Sequence, residues 1–197
     1  SSDEAGTITY GGSCSSSTTS ATSGNNTITL VSLNDGTYSD CTITVTDSLG
    51  NVSNTLTITS FIVDQTAATL EEVTAVTTPT NDSTPDYTFS SSEAGTITYG
   101  GSCSSSTTSA TTDNNTITLV SLSEGTYSNC TITVTDNSSN SVTLNISSFV
   151  VDTTAPTVSS NYPTDNQSNV AITDNITVTF SEAMDTTTIT TNTSNST

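Results

Sequence analysis

Short runs in which apolar residues alternate with threonine recur along the chain, as in Thr42-Ile-Thr-Val-Thr46, Gly95-Thr-Ile-Thr-Tyr-Gly100 and Thr131-Ile-Thr-Val-Thr135. Strict alternation puts one face of an extended segment into a core and leaves the other in water, so each run predicts a half-buried β-strand. The runs stop at turn chemistry: Thr-Pro-Asp at 84–86, Gly-Gly at 100–101 and Ser-Glu-Gly at 123–125. No stretch carries the 3.6-residue spacing of an amphipathic helix, and no helix is predicted.

The pattern is also copied. The segment from Glu4 to Asp47 recurs from Glu93 to Asp136 with a constant offset of 89, and SFIVDQTAAT ending at Thr69 matches SFVVDTTAPT ending at Thr157. The unit is about 88 residues, which is too long for a solenoid turn and suits a whole β-sandwich. Strands are predicted in one full unit at 70–76, 86–91, 95–103, 115–122, 126–135 and 142–151. The chain then divides into a partial module over 1–64, a complete one over 65–152, and a partial, diverged one over 153–197. It reads as a segment of something longer.

Four cysteines fall into this register, with Cys14 and Cys41, and likewise Cys103 and Cys130, 27 positions apart. Neither pair has a neighbouring Cys or His to complete a tetrahedral metal set, so each is read as a disulfide inside its module. In an immunoglobulin-like sandwich the strand ending near Cys103 lies beside the one containing Cys130, and the alternation turns both cysteines inward. The expected fold is therefore all-β: tandem immunoglobulin-like β-sandwiches, each with one intramodule disulfide. Such bonds persist in an oxidising compartment, which places the chain outside the cell or on its surface.

The run Leu33-Asn-Asp-Gly-Thr-Tyr38, followed by ITVTDSLGN ending at Asn51, resembles bacterial Ig-like (Big) tandem repeats of large surface adhesins or extracellular fibres. The linkers at Asp64 (DQTAAT) and Asp152 (DTTAPT) resemble the joints of that group, and NITVTFSEAMD over 175–185 resembles a related Ig-like module. The resemblance implies a stalk whose joints are stiffened by Ca²⁺.

Charge narrows the function classes. Nineteen acidic residues stand against no Lys, Arg or His, a formal charge of −19. No side-chain salt bridge can form, and nucleic acid is excluded as a partner because phosphate needs cationic neighbours. Catalysis lacks an ordinary general base near neutrality and a cationic oxyanion partner, and the serines have nothing to activate them. Paired carboxylates such as Glu71 and Glu72, or Asp3 and Glu4, are adjacent on extended chain and point to opposite faces. The chain is read as no enzyme. No apolar span of membrane length is present, so no membrane insertion is expected.

Oxygen chemistry at the joints is the sharper candidate. The sandwich topology gathers Asp64 and Asp35 of the first module with Glu93 and Asp136 of the second, and Asp152, Glu124 and Glu182 at the next joint. Carboxylates and carbonyls without a competing cation suit Ca²⁺; the alternative is a solvated acidic surface. Outward threonines such as Thr42, Thr44 and Thr46 resemble an ice-binding array but are also good strand formers. Sequons at Asn25, Asn51, Asn81, Asn114 and Asn145 are expected by chance in so Ser/Thr-rich a chain. The expected function is structural: a rigid spacer or stalk of a repeat adhesin or surface fibre, with neighbouring Ig-like modules or identical subunits as partners. The alternatives are a subunit of a head-to-tail filament joined by β-strand complementation and a ligand-binding adhesin tip, the latter without a distinctive loop or aromatic patch.

Overall fold

The computed structural model describes residues 1–187; positions 188–197 of the expected third module lie outside the described residues. The first module contains β1 (Gly6–Gly11), β2 (Ser20–Ala21), β3 (Gly36–Tyr38), β4 (Thr42–Thr46), β5 (Leu56–Thr57) and β6 (Phe61–Val63). The second contains β7 (Leu70–Thr74), β8 (Asp86–Ser91), β9 (Gly95–Gly100), β10 (Ser109–Ala110), β11 (Asp113–Thr118), β12 (Gly125–Tyr127), β13 (Thr131–Thr135), β14 (Ser141–Asn145) and β15 (Phe149–Val151). A last hairpin joins β16 (Val158–Tyr162) to β17 (Thr177–Phe180). Among the described residues there is no helix.

The second module is a sandwich of two main sheets. One has the order β10-β9-β13-β14 and the other β11-β8-β7, all antiparallel. Alternation does what the sequence pattern requires: Tyr87 and Phe89 of β8 point inward and meet Ile97 of β9, Ile117 of β11, and Ile132 and Val134 of β13 in one buried cluster. In this module two pairs of outward threonines meet across the strands. The hydroxyls of Thr88 and Thr116 lie 2.8 Å apart and those of Thr133 and Thr143 2.7 Å apart.

Three expected strands are interrupted, one of them, predicted over 142–151, splitting into β14, which pairs with β13, and β15, which pairs with β12. The one predicted over 95–103 stops at Gly100, because Gly101 turns with φ +71° and its α-carbon lies against the Asn129 carbonyl, where a Cβ would overlap the oxygen. The one predicted over 126–135 splits into β12, which pairs with β15, and β13, which pairs with β9 and β14. Cys103 and Cys130 sit in the breaks just outside these strands and are bonded, with Cα atoms 5.2 Å apart. Cys14 and Cys41 are bonded in the same way.

Tyrosines secure the corners, a role the pattern of apolar positions does not reveal. The Tyr127 hydroxyl donates to the Ser123 carbonyl at 2.9 Å and its ring stacks on Phe149, and Tyr38 repeats both contacts with Asn34 and Phe61. The Tyr99 hydroxyl donates to the Thr107 carbonyl, tying β9 to the Ser/Thr-rich crossing. That crossing carries a buried amide, Asn115, whose Nδ2 donates to the Thr111 and Asp113 carbonyls while its Oδ1 accepts from the Thr111 amide. A buried amide paired on both sides fixes the turn without a desolvation penalty.

Strand β7 is fastened to the far side of the module by Glu72, whose two carboxylate oxygens accept from the amide and hydroxyl of Ser147 at 3.0 and 2.7 Å. Burial pushes the Glu72 carboxyl up, but the Ser147 donors and the nearby Tyr87 hydroxyl outweigh it and hold the group below its usual range. A lowered carboxyl stabilises the fold above its unfolded pKa, and that contribution is lost as pH falls through the folded value. Glu72→Gln should therefore destabilise the module at neutral pH, with the gap to the parent closing as urea melts are taken below about pH 4.5. A pH-independent gap would mean that the carboxylate charge contributes nothing.

Candidate metal site at the joint between modules

The linker that leaves β6 carries Asp64, and the Asn140 side chain of the second module donates to the Asp64 carbonyl at 3.2 Å. This contact brings the turn between β13 and β14 against the end of the first module. The turn is built around Asp136, which is 8 % exposed. Its Oδ1 accepts from the amides of Ser138 and Asn140, and its Oδ2 accepts from Asn140 Nδ2. Burial pushes the Asp136 carboxyl up, and these donors more than reverse the effect, so it lies below the usual range. Ser139 adopts φ +75° to close the turn, and the first-module copy places Gly50 at φ +89° in the same spot around Asp47. A left-handed serine is costly, so the hydrogen-bonded loop must over-determine it.

Glu93 approaches from the turn after β8. The buried Ser91 hydroxyl donates to the Glu93 carbonyl at 2.6 Å, which pins that turn. Three elements from two modules thus converge, and one carboxylate oxygen from each of Asp64, Glu93 and Asp136 lies within 4.8 Å of the others. Two oxygens on opposite sides of a Ca²⁺ ion stand roughly 4.6–5.2 Å apart, given bond lengths of about 2.3–2.6 Å, so this spread fits a shared ion. The donor set is hard oxygen throughout, and no basic side chain exists in the chain to compete for it.

The other candidate residues are placed differently. Asp35 accepts from the Gln65 amide at 2.9 Å and from the Thr66 hydroxyl, so it caps the linker from the corner before β3 and lies outside the trio. Those donors, the Thr66 hydroxyl first, hold its carboxyl low despite some burial. Glu124 repeats the arrangement at the next joint, accepting from Thr153 and from the Thr154 hydroxyl, and is held low for the same reason. Asp152 accepts from the Thr154 amide at 3.2 Å, and the Oε1 of Glu182 is buried without a hydrogen-bond partner. Among the described residues Asp152, Glu124 and Glu182 do not form a trio like that at the first joint. The capping role of Asp35 and Glu124 was readable in principle: in both copies an acid precedes Gly-Thr-Tyr and the linker supplies a pair of side-chain donors.

The fold, then, is a tandem array of immunoglobulin-like β-sandwich modules with one disulfide in each of the first two. Residues 152–197 match the family described as "Bacterial Ig-like domain", so that segment is similar to a bacterial Ig-like module. No curated protein matches the chain.

Proposed function

We propose that the chain is a structural extracellular module, a stiff spacer that holds neighbouring domains apart in a surface adhesin or fibre, with Ca²⁺ at the joint limiting its bend. The observation that supports this reading most directly is the convergence of Asp64, Glu93 and Asp136 from both sides of one joint. Three carboxylates this close repel one another, and with no basic side chain to neutralise them a divalent cation is the natural counter-charge. An ion held by both modules would restrict the linker around Asp64 in the way that the Asn140 contact alone does not. The disulfides support an oxidising, extracellular setting.

Small-angle scattering on the chain with Ca²⁺ and with chelator tests the joint. The expected result is a shorter and broader distance distribution after chelation, and a Glu93→Gln variant that is insensitive to Ca²⁺ while its thermal unfolding stays unchanged. An identical distribution in both conditions would remove the metal from this reading.

A further inference from the structure

We infer that the free edge of β14, residues 141–145, is a self-pairing surface through which two copies of the chain join side by side. This adds a lateral contact to the spacer reading and does not depend on it.

Strand β14 ends its sheet, with β13 on one side and no strand on the other. The Ile146 amide donates to the Cys130 carbonyl of the neighbouring chain segment at 3.0 Å. Antiparallel pairing alternates, so Leu144 and Val142 bond to β13 as Ile146 does, while Ser141, Thr143 and Asn145 turn their amides and carbonyls away from it. Among the described residues these three have no backbone partner on that side. Ser147 continues the series, and its amide is taken by Glu72 at 3.0 Å. The open stretch therefore stops at Asn145.

A bare edge is normally blunted by a short strand, a charge or a bulge. The other borders of the two main sheets have such devices. Strand β10 has two residues, β7 carries Glu71 and Glu72 and a register shift, and β11 opens on the exposed Asp113 and has the crossing bonded beside its end, Val120 to Ser104. In the first module the corresponding strand is reduced to β5, two residues long. Only β14 combines five regular residues with no charge, no proline and no bulge.

Its sequence, Ser-Val-Thr-Leu-Asn, also matches itself when reversed. A two-fold axis through Thr143 sets Thr143 opposite Thr143 of the second copy and Ser141 opposite its Asn145, and each opposed pair exchanges two hydrogen bonds. Val142 then faces Leu144 of the second copy in the closely spaced positions between them, where side chains touch. Both are only half-buried in the single chain, so the pairing covers apolar surface that the module leaves open. Five residues a side is well below the roughly 20–30 of a stable complex, which makes the contact weak and reversible. The chain's charge of −19 opposes it from outside the edge, so salt strengthens it.

Sedimentation equilibrium of the full chain in chelator, over a range of protein and salt concentrations, tests the pairing together with amide hydrogen exchange. The expected result is a monomer–dimer equilibrium that tightens with salt, in which the Ser141, Thr143 and Asn145 amides slow as the dimer fills. Thr143→Glu places two carboxylates opposite each other across the axis, and Thr143→Pro removes an outward amide that β13 does not use; each should weaken association about tenfold or more. Thr116→Glu, which adds the same charge on the outer face of β11, should leave association nearly unchanged. A monomer at every concentration, a dimer in which the three amides exchange at the monomer rate, or equal weakening by the two Glu variants would overturn the inference. Chelator is present throughout, so a failed Ca²⁺ effect at the joint leaves these readings standing.

Discussion

Phe89→Ala lowers the stability of the second module by about 3–5 kcal/mol, the range for truncating a buried aromatic in a core that relaxes only in part. Phe89 is fully buried at the centre of β8, paired with Asn115 of β11 on one side and Glu72 of β7 on the other. Its ring fills the space over the β9–β13 sheet, which rises through Ile97, Ile132 and Val134. A domain of this size holds about 5–15 kcal/mol in total, so the loss takes a large share of it. Urea denaturation monitored by the tyrosines of the module checks the figure. A cost under about 1.5 kcal/mol would mean that the core collapses to refill the site and that the ring is not the keystone of the sheet contact.

The first module shows what that face is without its cover. The pentapeptide TITVT is identical in β4 and β13, yet Ile132 and Val134 are wholly buried while Ile43 and Val45 are only half so. Identical sequence with different burial means that the strand's environment comes from β8, not from the strand itself. Alternation could locate the strands and their inward faces because it is a local signal. It could not say how completely a face is covered, which depends on residues some forty positions away.

The same division runs through the joint. Period and register were enough to bring Asp64, Glu93 and Asp136 to one joint, since each follows the end of a strand at that end of the sandwich. Asp35 and Glu124 followed equally from register, but their oxygens are taken by Gln65, Thr66, Thr153 and Thr154. Topology brings residues to one end of a module, whereas the linker donors one or two residues after Asp64 and Asp152 draw Asp35 and Glu124 into capping the linker. The corner tyrosines went unread for a related reason. Tyr38 and Tyr127 fit the alternation as ordinary strand aromatics, and only the hydroxyl's reach to a carbonyl four residues back gives them another role.

Removing the Cys103–Cys130 bond is the second large effect. Closing a loop of this length contributes about 3–4 kcal/mol when the cost is counted as lost freedom of the unfolded chain. Cys103→Ala with Cys130→Ala should lower the melting temperature of the second module by about 10–30 °C, at about 4–8 °C per kcal/mol for a domain of under 100 residues. The bond spans the two strand breaks beside the Gly101–Asn129 contact and anchors the irregular crossing toward β10, where few backbone pairs form. Without it, the crossing keeps Tyr99 to Thr107, the Asn115 amide and the Val120 amide to Ser104 carbonyl bond. These are neutral hydrogen bonds worth roughly 1 kcal/mol each and cannot replace a covalent closure. Calorimetry of the double variant beside the reduced parent checks the figure, and a loss under about 1 kcal/mol would assign the crossing to those hydrogen bonds instead. The corresponding pair, Cys14–Cys41, closes a loop of the same length in a module whose core face is less covered.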